Sequence, residues 1–370
     1  MSAPPGPGPR LDAIDAMRGY AILGVVLTHT GQWTRPASAW TAQFCANGAM
    51  GVQLFFVASA IALFLSNERR HGHERRSLAD FFLRRFFRVA PMFYAGLLFF
   101  LWLAGTRPRL WAPRGITPLD VGLTALFLHG WHPETINSVV PGGWSIAAEV
   151  SFYLLLPFFF RLVTSRTRAL VLVVGTLALA RVADDWLAPL LTPPYPAGFE
   201  YLTENFRFYW IFGELPVFAM GIVLYFVWRD RRDRPDTTAG GVALGLAVLL
   251  GAALFHQMKP PLPPPLPAVA LYGVAFALLG FALHQMRSRL LVNPLIVFIG
   301  RISYSLYFVH FALFQFLYWK WPDGLPAGGT LAAYALVLAL GSAISYVTYR
   351  LVELPGIALG RRVVARIEAR

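Results

Sequence analysis

The sequence has little charge and almost no cysteine, and both shortages exclude whole classes of protein. Charged residues make up only 14% of its 370 residues, whereas a soluble globular chain has about 25%. Hydrophobic residues make up 56%, so the chain lacks the polar surface that a water-soluble protein needs. The single cysteine, Cys45, excludes an intramolecular disulfide, a cysteine zinc site and a paired redox motif.

The charge that is present is strongly basic, with 32 Lys and Arg against 19 Asp and Glu, a net charge of +13. These basic residues are spread over separate loops between apolar runs. They do not form the continuous patch with interleaved aromatic residues that binds nucleic acid, so we exclude nucleic acid as a partner. In a membrane protein such an excess is typical of cytoplasmic loops beside anionic lipid. The sequence therefore predicts a lipid bilayer as the chain's environment.

Apolar windows long enough to cross a bilayer recur along the chain, since a helix needs roughly 20 residues to do so. They lie near residues 15–34, 47–66, 89–105, 144–161, 169–187, 207–228, 240–256, 268–284, 295–317 and 330–352. A further stretch, 120–131, is too short and lies between two prolines, so we expect it to be re-entrant or interfacial. With this assignment most Arg residues fall on the side of both termini, which the positive-inside rule makes cytoplasmic.

The sequence thus predicts an all-α, polytopic integral membrane helix bundle of about ten transmembrane helices with cytoplasmic N- and C-termini. We divide it into three parts. Residues 1–10 are rich in proline and glycine and are expected to be a disordered tail. Residues 11–355 form the membrane domain, and residues 356–370 form a basic cytoplasmic tail.

The first predicted helix contains an arginine and a histidine at membrane depth, where ionisable residues are costly and usually functional. Arg18 and His29 are eleven residues apart. That spacing is three helical turns, so both side chains lie on nearly one face, about 16 Å apart. Histidine suits a general base because its ordinary pKa is close to neutrality. The alternative is a hydrogen-bonded packing residue.

Three more segments place polar residues in or beside apolar helices. Arg85 and Arg88 have i, i+3 spacing and suit a bidentate clamp for phosphates, although ordinary anchoring at the cytoplasmic surface is the alternative. Glu149 follows the interfacial Trp144 and could orient a histidine or bond a neighbouring helix. A polar stripe with i, i+4, i+7 spacing indicates a cavity lining or a helix–helix contact, and it comprises Ser303, Tyr307 and His310. No HExxH or CxxC motif indicates a metal site.

In this order, the segments resemble the acyltransferase-3 family of bacterial integral membrane O-acyltransferases. The resemblance covers about residues 11–355, with alanine at Ala60 where the family usually has glycine. The matching motifs are the Arg-x10-His pair of Arg18 and His29, FFVASA at 55–60, Arg85-x-x-Arg88, WSIAAEVSFY at 144–153, GRISYSLYFVH at 300–310, and the closing Glu353-x-Pro355.

The resemblance implies transfer of an acyl group, often acetyl, from acyl-CoA to a hydroxyl of a saccharide or glycosylated acceptor, such as a cell-surface polysaccharide. The location implied is the bacterial inner membrane, and acyl-CoA is a co-substrate and not a bound cofactor. His29 would remove the hydroxyl proton, Glu149 stabilise the imidazolium, and Arg18 stabilise the oxyanion. Arg85 and Arg88 would bind the phosphates of acyl-CoA. The substrate-binding residues, which include alternative oxyanion donors, would be Trp144, Ser303, Tyr307 and His310.

Two other functions stay open at the level of the sequence. A proton-coupled secondary transporter could use His29, Glu149 and His310 as a proton relay, although no internal repeat typical of transporters is visible. A non-catalytic membrane scaffold is the second alternative, but it leaves the cost of buried His and Glu unexplained. An acyl-histidine intermediate, the acceptor and the acyl chain length are also left open.

Overall fold

The computed structural model describes residues 9–70, 77–231, 234–258, 266–321 and 329–368. Throughout these ranges the regular structure is helical, and the only β-type pairing among the described residues is an isolated bridge between Arg109 and Ala112. The predicted all-α class is therefore confirmed. Of the expected tail 1–10, all but the last two residues lie outside the described ranges.

Sixteen α-helices follow one another in the described ranges. In chain order they are α1 Pro9–Thr34, α2 Ala39–Asn47, α3 Gly51–Arg70, α4 Ser77–Ala104, α5 Pro118–Ala125, α6 Gly143–Leu162, α7 Arg166–Val182, α8 Ala188–Leu191, α9 Glu200–Tyr209, α10 Ile211–Asp230, α11 Thr237–Leu254, α12 Leu266–Met286, α13 Pro294–Arg301, α14 Ser303–Lys320, α15 Thr330–Thr348 and α16 Leu354–Glu368. Two π-helical turns, Ala183–Leu187 and Tyr349–Glu353, continue α7 and α15.

Seven helical segments in the described ranges are long and apolar enough to cross a membrane, and the α13–α14 pair, bent by 73°, makes an eighth if it is one broken span. The multi-pass character of the chain is therefore clear, while the count of about ten stays a prediction. The two windows without a matching candidate are 15–34 and 169–187. The first lies in α1, whose Arg18 and His29 lower its mean hydropathy, and the second runs into a π turn with two aspartates.

The short stretch 120–131 behaves differently from the spans around it. It is divided between α5, which has only eight residues, and a single 3-10 turn, His129–Trp131. Eight helical residues extend about 12 Å, far less than the roughly 30 Å of a hydrocarbon core. The segment is therefore no transmembrane helix, in line with the re-entrant or interfacial prediction.

Large exposed tryptophans are found at the helix ends that lie away from the arginine-rich loops. Their side chains are 64–83% exposed. They are Trp40 at the start of α2, Trp102 near the end of α4, Trp186 in the π turn after α7, and Trp319 near the end of α14. Tryptophan prefers the membrane interface because its ring is apolar and its N–H is polar. These four tryptophans are therefore suited to form an aromatic belt at one of the two membrane–water interfaces.

Helix α1 is the centre of the bundle and crosses α13 at backbone contact. A Cβ atom on Gly300 would overlap the carbonyl oxygen of Asp15, and one on Gly19 would overlap the carbonyl oxygen of Ile296. Small residues permit such close helix approach in membrane proteins. The contact is reinforced by Arg301, whose guanidinium lies 3.2 Å from carboxylate oxygens of both Asp12 and Asp15.

The basic segment after Glu353 is helical as far as Glu368. Two glycines of α16 allow it to pack on α4, because Gly356 lies against Pro91 and Gly360 lies against Phe87. Its Arg361 points away from this contact and is exposed. The segment thus supports the part of α4 that carries Arg85 and Arg88.

Replacing Gly300 by alanine should force α1 and α13 apart. We expect Gly300→Ala to destabilise the protein by about 1–3 kcal/mol, the usual cost of overpacking, seen as a lower thermal unfolding midpoint in detergent. Gly245→Ala in α11 is the matched control, since no described residue outside its own stretch of helix comes within 4 Å of its Cβ position and alanine favours a helix. Equal midpoints for the two variants would contradict the proposed backbone contact.

Candidate active site

A cavity of about 760 Å³ lies between α1, α3, α4, α6 and α14. Its walls are apolar, with Phe55 and Phe56 among them, apart from a group of charged and hydroxyl side chains. Six residues predicted from the sequence line it, namely Arg18, Arg85, Arg88, Glu149, Ser303 and Tyr307. Four separate helices are needed to bring these six together, so the cavity is a product of the tertiary fold.

Arg85 and Arg88 lie one helical turn apart on α4, as the i, i+3 spacing predicts. The guanidinium carbon of Arg85 lies 5.8 Å from the centre of the Phe81 ring, which holds its plane by a cation–π contact. The buried Nε of Arg85 has no hydrogen-bond partner among the described residues. Arg85 therefore keeps donor capacity that an anionic ligand can use.

Arg88 has an electrostatic partner that the sequence analysis did not assign a role. Attraction to Glu353 is the largest favourable charge interaction of Arg88, and both residues line a second cleft of about 440 Å³. Glu353 is buried in the π turn before α16 and accepts a hydrogen bond of 3.1 Å from Ser305. The Glu-x-Pro motif was the available signal, but nothing in the sequence linked it to Arg88.

Glu149 lies among the arginines and not beside His29. Its Oε1 accepts hydrogen bonds from Ser59 Oγ at 2.5 Å and Tyr153 Oη at 2.7 Å. It is also within electrostatic reach of the cavity's three arginines, Arg18 included. The expected Glu149–His29 pair is not formed among the described residues, because Glu149 lies at the level of Arg18, three turns of α1 away from the histidine.

Ser59 and Tyr153 also line the cavity, and the sequence analysis missed both. Ser59 belongs to the FFVASA segment of α3, and Tyr153 lies one turn after Glu149 in WSIAAEVSFY. Both motifs were quoted for the family resemblance, and the i, i+4 spacing of Glu149 and Tyr153 was a usable signal. The Ser59 contact joins different helices and left no trace in the spacing.

His29 does not line the cavity but pairs with the second predicted histidine. The ring centres of His29 and His310 are 5.3 Å apart, and Phe311 contacts both rings at 4.6 and 4.1 Å. His310 is fully buried; its Nδ1 donates to Leu306 O at 2.9 Å, and its Nε2 has no partner among the described residues. The histidines therefore form a separate cluster next to the arginine-lined cavity.

Tyr307 lies between this histidine cluster and the cavity. Its ring lines the cavity and its centre is 5.8 Å from that of His310. Its hydroxyl donates to Gly142 O at 3.0 Å and accepts from Ser145 Oγ at 3.0 Å. Gly142 has φ +74°, and a Cβ there would lie 2.7 Å from the tyrosine oxygen, so only glycine fits. Tyr307 therefore closes the cavity on the side of His29.

Trp144 lies behind the cavity wall and not on its surface. It is buried, stacks on Tyr209 at 4.4 Å, and meets the edge of Phe56 at 6.1 Å. Since Phe56 lines the cavity, Trp144 supports a lining residue. Its expected contact with substrate stays a prediction.

Comparison with known proteins identifies the kind of chemistry. The sequence profile of a family described as an acyltransferase domain matches residues 11–350. The chain belongs to this acyltransferase family. Membership agrees with the resemblance found in the sequence. It favours an enzyme over a transporter or a scaffold as the interpretation of the cavity.

Two curated relatives illustrate the family. This acyltransferase is 26% identical over 339 residues to acyltransferase MdmB of Streptomyces mycarofaciens, covering 83% of this chain and 80% of the relative. It is 23% identical over 373 residues to O-acetyltransferase OatA of Staphylococcus aureus, covering 93% of this chain but 57% of that protein. No solved structure matches the chain. Among the described residues, no group of three or more His, Cys, Asp or Glu is arranged to hold a metal ion.

A further histidine of the acyltransferase, His129, was given little weight in the sequence. It lies in the short segment before α6, where its Nε2 donates to Gly143 O at 3.0 Å and its ring stacks on Phe93 at 5.7 Å. Burial lowers the pKa of His129 from 6.5 to about 4. The neutral ring therefore fixes the turn that presents Gly142 to Tyr307.

The lowered pKa of His129 predicts that the acyltransferase loses folding stability in mild acid. Between pH 6.5 and about 4 the unfolded chain binds a proton at His129 that the folded protein does not, so folding stability falls as the pH falls. His129→Gln keeps an N–H donor but does not titrate. We expect its thermal midpoint in detergent to fall less than that of the wild type between pH 7 and pH 5. Equal losses would show that His129 is already charged in the folded protein.

Proposed function

We propose that this protein is an O-acyltransferase of the bacterial inner membrane that moves an acyl group, with acetyl as the simplest case, from acyl-CoA to a hydroxyl of a saccharide or glycosylated acceptor. The observation that supports this most is the cavity into which Arg18, Arg85 and Arg88 all project. Three guanidinium groups and one carboxylate, that of Glu149, are among the described residues that line this cavity. This local surplus of positive charge suits an anionic ligand.

The donor is proposed to be acyl-CoA because the clefts at this end of the bundle suit a long molecule with several phosphates. Arg18 lines the main cavity and also two neighbouring clefts of about 510 and 440 Å³. The first of these adds Arg69 and the second adds Arg301 to the lining. Phosphates would bind in these clefts, while the pantetheine arm would follow the apolar wall of the cavity.

The acyl transfer is proposed to occur where the cavity meets the histidine cluster. His29 removes the proton of the acceptor hydroxyl as the oxygen attacks the thioester carbonyl. A C–O bond forms, the C–S bond breaks, and the CoA thiolate takes the proton back from the imidazolium. Tyr307 turns its hydroxyl from Gly142 O to the developing oxyanion. Arg18 lies three helical turns from His29 and is bonded to Asp15, so it is proposed to bind donor phosphates in place of the expected contact with the oxyanion.

The role of Glu149 in this proposal differs from the one expected from sequence. Bound to Ser59 and Tyr153, it offsets part of the positive charge of the three arginines. His310 and Ser303 remain the proposed contacts to the acceptor and the thioester. His29 then acts without a carboxylate partner.

The proposed orientation places both termini and the arginine clefts in the cytoplasm, where acyl-CoA is made. The arginine-rich loops support this by the positive-inside rule. The exposed tryptophans at the opposite helix ends support an interface there. About ten crossings are proposed, with α1 and α7 as the two more polar ones, and the acceptor enters from the outer side.

The catalytic proposal predicts acceptor-dependent release of CoA. Membranes supplied with acetyl-CoA labelled in the acetyl group should transfer label to a saccharide fraction, from which mild alkali should release it as acetate. His29→Ala should reduce transfer at least about 100-fold, within the usual contribution of a general base. His256→Ala, at an exposed histidine beyond α11, is the control and should keep full activity. Full turnover by His29→Ala would exclude His29 as the base.

The phosphate proposal predicts a selective loss of donor affinity. Arg85→Ala should raise the KM for acetyl-CoA roughly 10–100-fold, because a charge-assisted hydrogen bond contributes about 1.5–3 kcal/mol, with little change in kcat. Arg85→Lys should restore the charge but not the planar fork, and so recover only part of the affinity. Arg361→Ala on the exposed face of α16 is a control of the same charge. An unchanged KM in Arg85→Ala would contradict the clamp.

A further inference from the structure

His29 has a hydrogen-bond partner that determines which of its nitrogens is basic. Its Nδ1 lies 2.8 Å from Oε1 of Gln32, one turn further along α1. An amide oxygen only accepts hydrogen bonds, so Nδ1 has the hydrogen. The neutral ring then has its lone pair on Nε2. We infer that Gln32 is a positioning residue that fixes this tautomer and so makes Nε2 of His29 the nitrogen that receives the acceptor's proton.

The surroundings of His29 leave Gln32 as its one hydrogen-bond partner among the described residues. From α14, the apolar rings of Phe311 and Phe314 face the imidazole, with centres 4.6 and 6.3 Å away. The titratable group facing it from α14 is His310, and Tyr307 lies behind that ring. On α1 itself the nearest charged residue towards the cavity is Arg18, three turns away.

His310 repeats the same hydrogen-bond pattern. Its Nδ1 donates to the carbonyl oxygen of Leu306, so its lone pair is also on Nε2, and that atom is buried without a partner in the described part of the chain. Neither imidazole therefore has a carboxylate partner within the described ranges of the chain. When Nε2 of His29 gains a proton it becomes a donor, and Nε2 of His310 offers an acceptor on the adjacent ring.

A neutral amide has a different consequence from the carboxylate that orients histidine in many hydrolases. It fixes the ring and its tautomer, but it adds no negative charge that would favour the imidazolium. A proton on Nε2 of His29 is therefore not held by a carboxylate among the described residues, and it can return readily to the departing thiolate. This inference rests on the proposed function, in which His29 is the base.

The test compares two substitutions of Gln32 in the full-length protein with acetyl-CoA as donor. Gln32→Leu keeps the size but removes the acceptor, so the ring is free to turn or change tautomer. We expect kcat to fall at least about 10-fold while the KM for acetyl-CoA stays within about 2-fold of the wild type. Gln32→Glu keeps the hydrogen bond and adds a charge, so the acidic limb of the kcat–pH profile should move up by about one pH unit or more.

Controls and outcomes separate this inference from the proposed function. Gln257→Leu, at an exposed glutamine after α11, should leave kcat and the pH profile unchanged. One outcome is that His29→Ala is inactive while both Gln32 variants have the kcat and the acidic limb of the kcat–pH profile of the wild type. The inference about Gln32 is then wrong, but His29 is still the base. If His29→Ala is active, both the assignment of His29 as the base and the inference about Gln32 are wrong. If Gln32→Leu does not fold, the pH profile of Gln32→Glu decides, since a merely structural residue would not shift it.

Discussion

Charge inside a membrane domain must be paired, hydrated or used, because each unpaired charge costs several kcal/mol, and the cavity depends on this constraint. Helix α1 brings Arg18 into the bundle beside Asp15 at 3.3 Å. Arg88 is attracted to Glu353, outside the main cavity, and the three arginines share the attraction of Glu149, which lines it. The arginines outnumber the carboxylates that line the main cavity with them. That surplus is what makes the cavity suited to an anionic ligand.

Close backbone contacts give the bundle the precision that such a cavity requires. Gly19 and Gly300 let α1 and α13 touch, and Gly142 lets the turn before α6 accept the hydroxyl of Tyr307. Apolar packing by itself gives membrane helices little orientation, because lipid chains are as apolar as leucine. The glycine contacts and the buried hydroxyl bonds therefore fix the distances between the arginines, Glu149 and the histidines.

The division of the site at Tyr307 matches the two halves of an acyl transfer between unlike substrates. The charged half suits a phosphate-rich donor, and the half with His29 and His310 has lone pairs that suit hydroxyl groups of an acceptor. The Tyr307 hydroxyl lies at this boundary and makes two hydrogen bonds, to Gly142 O and with Ser145 Oγ. In the proposed direct transfer, the acceptor hydroxyl and the thioester carbonyl would meet at this boundary.

The sequence by itself determined the helical class, the membrane environment and the residue types of the site, because hydropathy and helical spacing are local properties. The pairing of Arg85 with Arg88 and the stripe from Ser303 to His310 followed from spacing on one helix. The partners of Glu149, the link between Arg88 and Glu353 and the position of His29 behind Tyr307 were decided only by the tertiary structure. These contacts join different helices, and their geometry depends on how those helices cross. The periodicity of residues along a single helix does not encode how two helices cross.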